Sequence, residues 1–186
     1  MATDQTQKKI MDAFTEMLEH QSFGSIKVTN IVAAGGGSHM SFYRKYADKY
    51  ALLEEICYQD FTTFARIYGR DATWKEVVVC LLTCAKSNRQ FYRKIFADEQ
   101  ALDSAIQAVI RLSSDYTGKA ASDFVRLVWQ SILRGWARNG MSDSVEDVYR
   151  NIIEHLPICD ILTEEERQIY LRRYEETSLA DFRGKK

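Results

Sequence analysis

The segment from Gly35 to Tyr46, GGGSHMSFYRKY, places a histidine, two tyrosines and an adjacent Arg-Lys pair behind three glycines. Those side chains suit a polyanion. Lysine and arginine neutralise phosphates, and a tyrosine hydroxyl can donate to a phosphate oxygen. If Ser38 caps a helix running to Lys45 or Tyr46, Phe42 and Tyr46 fall on one face, four residues apart. His39, Met40, Tyr43 and Arg44 then point the other way, with Ser41 and Lys45 at the flanks. The N-terminal end of such a helix is the part that reaches base edges. There Met40 suits a thymine methyl and His39 a purine acceptor edge. From Ile26 to Lys49 the basic residues Lys27, Arg44, Lys45 and Lys49 stand against Asp48 alone, a local charge of +3. The whole chain carries −1, so any nucleic-acid contact must be a local patch. Gly37–Met40 also spells a common tag-removal scar, but it lies inside a continuous pattern rather than at a terminus.

Elsewhere the chemistry is thin. Cys80 and Cys84 lie one helical turn apart and could chelate a metal or form a redox pair. Neither a nearby histidine nor a CxxC accompanies them, which favours buried thiols. The four cysteines (Cys57, Cys80, Cys84, Cys159) are spread through apolar contexts and fit a reducing compartment. Asp60 or His155 could be drafted as catalytic, yet no nucleophile, base and orienting group come together, and HxxxH and ExxH pairs are absent. The expectation is a protein that is no enzyme and holds no cofactor and no metal. No apolar run approaches the ~20 residues of a membrane span. The N-terminal MATDQTQKKI lacks a signal-peptide core. A cytoplasmic protein is expected.

The elements that must position the GGGSHMSFYRKY segment read as helices. A single proline and nine glycines in 186 residues leave few breaks. Residues from Gln5 to about His20 carry Ile10, Phe14, Met17 and Leu18 on one face, with Asp4 as a cap. Residues 28–34, VTNIVAA, make a short apolar helix stopped by Gly35 and Gly36, since glycine enters the left-handed conformation without steric cost. Asp48 opens a longer helix with Leu53, Ile56, Cys57, Phe61, Phe64 and Tyr68 as its stripe. A helix capped by Thr73 and Glu76 is apolar almost all round and should be central. Further helices are expected over SNRQFYRKIFADEQ, residues ~99–113, 120–138, 144–155 and Thr163 to about Glu176, with SSDYTGK as a loop or frayed end. No strand alternation is visible. Helix, glycine turn, helix at Val28–Tyr46 is the helix-turn-helix signature.

The wider run IKVTNIVAAGGGSHMSFYRKYADKYALLEEI resembles the N-terminal domain of the TetR/AcrR family of bacterial transcriptional regulators. Thr29-Asn30-Ile31, Gly36-Gly37-Ser38, Ser41–Tyr46 and Asp48–Leu53 fall in register with that family's motifs over roughly the first 60 residues. The resemblance implies an all-α fold: an N-terminal three-helix domain with the helix-turn-helix (1–47), and a larger C-terminal helical ligand and dimerisation domain (48–186). It implies double-stranded DNA as partner, a homodimer, and a possible small-molecule effector. It places Thr29, Tyr43 and Lys49 on phosphates, Lys49 from the start of the fourth helix. Gly37 stands where the family usually has an apolar residue, and His39-Met40 where other pairs are common, so no relative's operator can be carried over. Trp136–Met141 is similar to the C-terminal region of Firmicutes-type members, including the dihydroxyacetone-kinase regulators.

For the implied effector pocket the candidates are Phe61, Phe64, Trp74, Phe91, Phe124 and Trp129, each of which has plain core as its alternative. For the implied dimer interface they are Val128, Ile132, Trp136, Val148 and Ile152. A helix-turn-helix-derived interaction module without DNA binding, and an all-α enzyme, remain the rival readings. Salt-dependent DNA binding separates both from the first.

Overall fold

The computed structural model describes residues 2–66, 74–117 and 123–155. These form nine α-helices and one 3-10 turn, with no strand among the described residues. The helices are α1 (Ala2–His20), α2 (Val28–Ala34), α3 (His39–Tyr43), α4 (Lys49–Ala65), α5 (Trp74–Ser87), α6 (Arg89–Ala97), α7 (Glu99–Thr117), α8 (Asp123–Arg138) and α9 (Val145–His155). The 3-10 turn, Phe23–Ser25, joins α1 to α2.

Local chemistry sets most boundaries. The Asp48 carboxylate accepts from the Tyr50 and Ala51 amides and starts α4. Asp98 does the same for Gln100 and Ala101 at the start of α7. The Ser144 hydroxyl accepts from the Asp147 amide and opens α9. The helix over 99–113 runs further than its sequence pattern predicts, through Ser113–Thr117. Two cross-helix contacts hold this end to α4: the Tyr58 hydroxyl donates to Asp115 at 2.7 Å, and Arg111 pairs with Glu55 at 3.0 Å. α1 begins at Ala2, so Asp4 lies inside the helix and does not cap it. The proposed cap Thr73, the positions Tyr68 and Cys159, and the helix from Thr163 lie outside the described residues.

The buried side chains, from Ile10 to Ile152, make one connected core that spans both expected domains. The division at 47/48 falls in the turn between α3 and α4. Against the expectation of a central helix, α5 buries Val78, Leu81, Leu82 and Ala85 against α4 and α9 but leaves Lys75, Thr83 and Ser87 exposed, and the most extensive packing is between α4 and α7. Tyr92 of α6 is the middle of an aromatic stack: Phe61 lies parallel to it at 5.6 Å, Phe91 edge-on at 5.1 Å, and its hydroxyl donates to Asp60 at 2.9 Å. Burial pushes the Asp60 carboxyl above its ordinary range, although the Tyr92 bond works against this. Cys57, Cys80 and Cys84 are buried free thiols, and burial drives Cys84 up to about 12, so it stays protonated. Among the described residues no helix is long and apolar enough to cross a membrane.

Candidate nucleic-acid interface

The turn between α2 and α3 is built by three consecutive glycines. Gly36 has φ +66°, which a residue with a Cβ adopts only with strain. The Gly37 amide donates to the Val32 carbonyl at 3.1 Å and the Gly36 amide to the Ala33 carbonyl at 3.4 Å, the paired closure of a Schellman motif. Gly35 has a different task. A Cβ there would sit 2.9 Å from the Ile10 Cα, so the turn rests directly on the α1 backbone. At Gly37 a Cβ would approach the Ile10 Cδ1 to 3.1 Å. The end of Ile10 thus fills the space that a side chain at Gly37 would need.

α3 starts with a reciprocal cap. The Ser41 amide donates to the Ser38 hydroxyl at 3.1 Å, and the Ser38 amide to the Ser41 hydroxyl at 3.0 Å. Its rotation is fixed by Phe42 and Tyr46, which are buried side by side with ring centroids 5.5 Å apart. Burying an aromatic of this size is worth about 2 kcal/mol, more than any single exposed contact on the opposite face. Burial beside Glu55 raises the Tyr46 hydroxyl to about 12, so it stays neutral.

The opposite face is open. Met40 is 81% exposed and Tyr43 56%. His39 stacks near Tyr43, centroids 6.3 Å apart. Arg44 and Lys45 are exposed, as are Lys27 at the cap of α2 and Thr29 in its first turn. Ser41 is placed differently from the sequence expectation: its hydroxyl also donates to the Ser38 carbonyl at 2.7 Å, so its one proton is spent on the helix start. Lys49 departs further. Its ammonium donates to the carbonyls of Phe23 (2.8 Å), Gly24 (3.2 Å) and Ile26 (3.0 Å). All three donors are thereby used, and the ammonium lies over the Phe23 ring at 4.6 Å. Burial lowers its pKa, with Asp98 acting in the other direction. Lys49 fastens α4 to the α1–α2 connection; a phosphate would have to displace a carbonyl.

Sequence reasoning missed α1's share of this surface. Thr6, Gln7 and Ile10 line a groove of about 410 Å³ with Ser41, Arg44, Lys45 and Tyr46, and the Lys45 ammonium bonds to the Gln7 side-chain oxygen. The signal lay in the helical period of α1, which puts Thr6 and Gln7 one turn before Ile10, but nothing in the sequence says which part of α1 meets α3.

Of the expected effector aromatics, Phe61 and Phe91 both pack on Tyr92. Phe61, Phe91 and Trp129 are buried in the core, Phe64 is half-buried, and Phe124 is 53% exposed on the outer face of α8. The side chain of Trp74 lies outside those described. Of the five whose side chains are described, Phe91 alone borders the cleft between α1, α4 and the start of α6, of about 830 Å³, together with Met11, Ile56 and Asp60. The dimer candidates divide as well. Trp136, Val148 and Ile152 are buried within the chain, and the Trp136 indole donates to the Asp143 carbonyl. Val128 and Ile132 are half-buried and belong to an outer stripe with Phe124, Leu127, Ser131 and Gly135, spaced at three and four residues. A groove of about 300 Å³ runs from that stripe to Val148 on α9.

This helical arrangement is the fold of TetR transcriptional regulators. A TetR transcriptional regulator from Streptococcus agalactiae 2603V superimposes with TM-score 0.54 at 19% identity, covering 84% of this chain and 96% of that one. One from Rhodococcus sp. RHA1 gives 0.55 at 12% identity, covering 85% and 99%. In sequence, the chain is similar to the HTH-type dhaKLM operon transcriptional activator DhaS of Lactococcus lactis, 28% identical over 91 residues. That match spans 49% of this chain and 49% of DhaS, about half the length of the curated relative. No family model matches the chain.

Proposed function

We propose that this chain is a TetR-type DNA-binding transcriptional regulator that acts as a homodimer on a near-palindromic operator. The observation that carries the reading is the open face of α3: Met40 and Tyr43 project into solvent beside Arg44 and Lys45, while Phe42 and Tyr46 lock the helix from behind. In this reading His39 and Met40 read base edges. Tyr43, Arg44, Lys45, Lys27 and Thr29 hold phosphates, with Gln7 seated beside Lys45. Ser41 and Lys49 support that surface by shaping α3 and the connection before α2. The DNA-binding unit is 1–47, and 48–186 serves dimerisation and effector binding.

The α8 stripe from Phe124 to Gly135 supports the dimer, because Phe124 and Leu127 are large apolar side chains left more than half exposed. The dimer must set its two α3 helices about 34–36 Å apart to meet successive major grooves. A small effector that favours another spacing lowers DNA affinity through its differential binding to the two states. An effector entering the cleft at Phe91 would touch α1, α4 and α6 together.

The test is selection of genomic fragments by the purified dimer, scored by gel shift at two salt concentrations. An enriched palindrome whose binding weakens steeply with salt is expected. Absence of enrichment from folded, dimeric protein would contradict the reading.

A further inference from the structure

The connection between α1 and α2 is held from outside by two lysines on different helices. Lys49, at the start of α4, takes the carbonyls of Phe23, Gly24 and Ile26. Lys94, in the last turn of α6, takes the carbonyls of Leu18 at 2.8 Å and Glu19. Carbonyls in the last turn of a helix have no intrahelical donor, and a cation there also meets the negative end of the helix dipole. Charge-assisted bonds of this kind are about twice as strong as neutral ones. The corner between α6 and α7 reaches the same region: the Tyr50 hydroxyl donates to Gln100 at 2.7 Å, and Tyr50 packs edge-on against Phe23 at 5.2 Å.

What Lys94 holds is not peripheral to α3. α1 is the helix on which the recognition turn rests, through the approach of Gly35 to Ile10, and Leu18 is buried on the same face as Phe14. What carries Lys94 belongs to the body. The other face of α6 buries Phe91, Tyr92, Ile95 and Phe96, and Tyr92 is bonded to Asp60 of α4. Lys94 itself is exposed apart from its ammonium contacts. A shift of α6 along or about its axis would therefore pull on the C-terminal end of α1, and α1 would carry the recognition turn with it.

We propose that Lys94 is a positioning residue: it couples α6 to the DNA-binding unit and sets the orientation of α3 without touching DNA. The inference rests on the DNA-binding reading for its consequence, not for the coupling itself. The experiment compares wild type with Lys94→Met and Lys94→Arg as full chains. Amide hydrogen exchange is followed over 18–26, 39–46, α7 and α8, and affinity for the selected duplex is measured across salt. Lys94→Met should speed exchange over both 18–26 and 39–46 while α7 and α8 keep wild-type protection. It should weaken duplex binding roughly five- to ten-fold with an unchanged salt slope, because no phosphate contact is lost. Lys94→Arg, which keeps a cationic donor, should restore most of both. Unchanged exchange over 39–46 in Lys94→Met would overturn the coupling. A shallower salt slope would overturn it too, by making Lys94 a phosphate contact. If wild type binds no duplex while the exchange pattern appears as described, the coupling stands and the DNA-binding reading fails.

Discussion

Two helices of this chain end on the same pair of closing hydrogen bonds, and only one of the two ends leads into an open face. After α2, Gly36 takes φ +66° and the Gly37 amide closes on Val32. After α8, Gly140 takes φ +64° and the Met141 amide closes on Trp136 at 2.7 Å. The closing bonds are shared, but Met141 itself takes φ +54°, and the surroundings differ. Met141 is fully buried, and the Lys86 ammonium of α5 binds the carbonyls of Met141, Ser142 and Asp143 at 2.6, 3.2 and 2.8 Å. That turn is stitched shut from outside. The α2–α3 turn is held only from beneath, by Ile10, and the helix it launches shows Met40, Tyr43 and Arg44 to solvent. A glycine stop therefore does not define a recognition element. What defines it is a buried inner face combined with an outer face that the rest of the chain does not claim.

The largest break in this comparison is Gly35→Val. Its side chain must enter the Ile10 backbone, which cannot yield as a flexible side chain would, so a loss of about 3 kcal/mol is expected. Chemical denaturation should report it, together with loss of duplex binding. Next is Lys86→Met, which keeps the aliphatic stem but removes a charged donor from three carbonyls, only Asp143's keeping a further donor among the described residues, the Trp136 indole, at a cost of about 2 kcal/mol. Binding per folded dimer should stay at the wild-type level, because the α8–α9 turn lies outside α1, α2 and α3. The smallest effects sharpen the comparison. Gly36→Ala and Gly140→Ala each meet the left-handed penalty of about 1 kcal/mol and little else, since no atom lies closer than 3.4 Å to either added Cβ. Equal losses of melting temperature are expected, with DNA binding impaired only in Gly36→Ala.

The parts of this architecture that were legible in the sequence are those set by neighbours in the chain. VTNIVAA before three glycines, Ser38 three residues ahead of Ser41, and Asp48 ahead of Tyr50-Ala51 each specify a helix end through bonds a few residues long. The division of α3 into faces followed from the four-residue step between Phe42 and Tyr46. What could not be read is where long side chains go. Lys49 and Lys45 look alike in a charge count, yet one spends its donors on carbonyls 23 to 26 residues away and the other lies on the surface. Aromatic periodicity gave the same ambiguity. Phe61 and Phe124 both sit on helical stripes, but α4 turns Phe61 into the Tyr92 stack while α8 turns Phe124 outward. Trp136 and Val148 are both buried within one chain, a fact of tertiary packing that no spacing encodes.

The central claim is that the open face of α3 binds DNA through phosphates. It is tested most directly by comparing wild type and the double variant Tyr43→Ala/Arg44→Ala on the same duplex over a range of salt. Both residues are exposed, so stability should stay within about 0.5 kcal/mol. The account predicts weaker binding and a salt slope shallower by about one unit for the lost arginine. A folded variant with wild-type affinity and slope would contradict it.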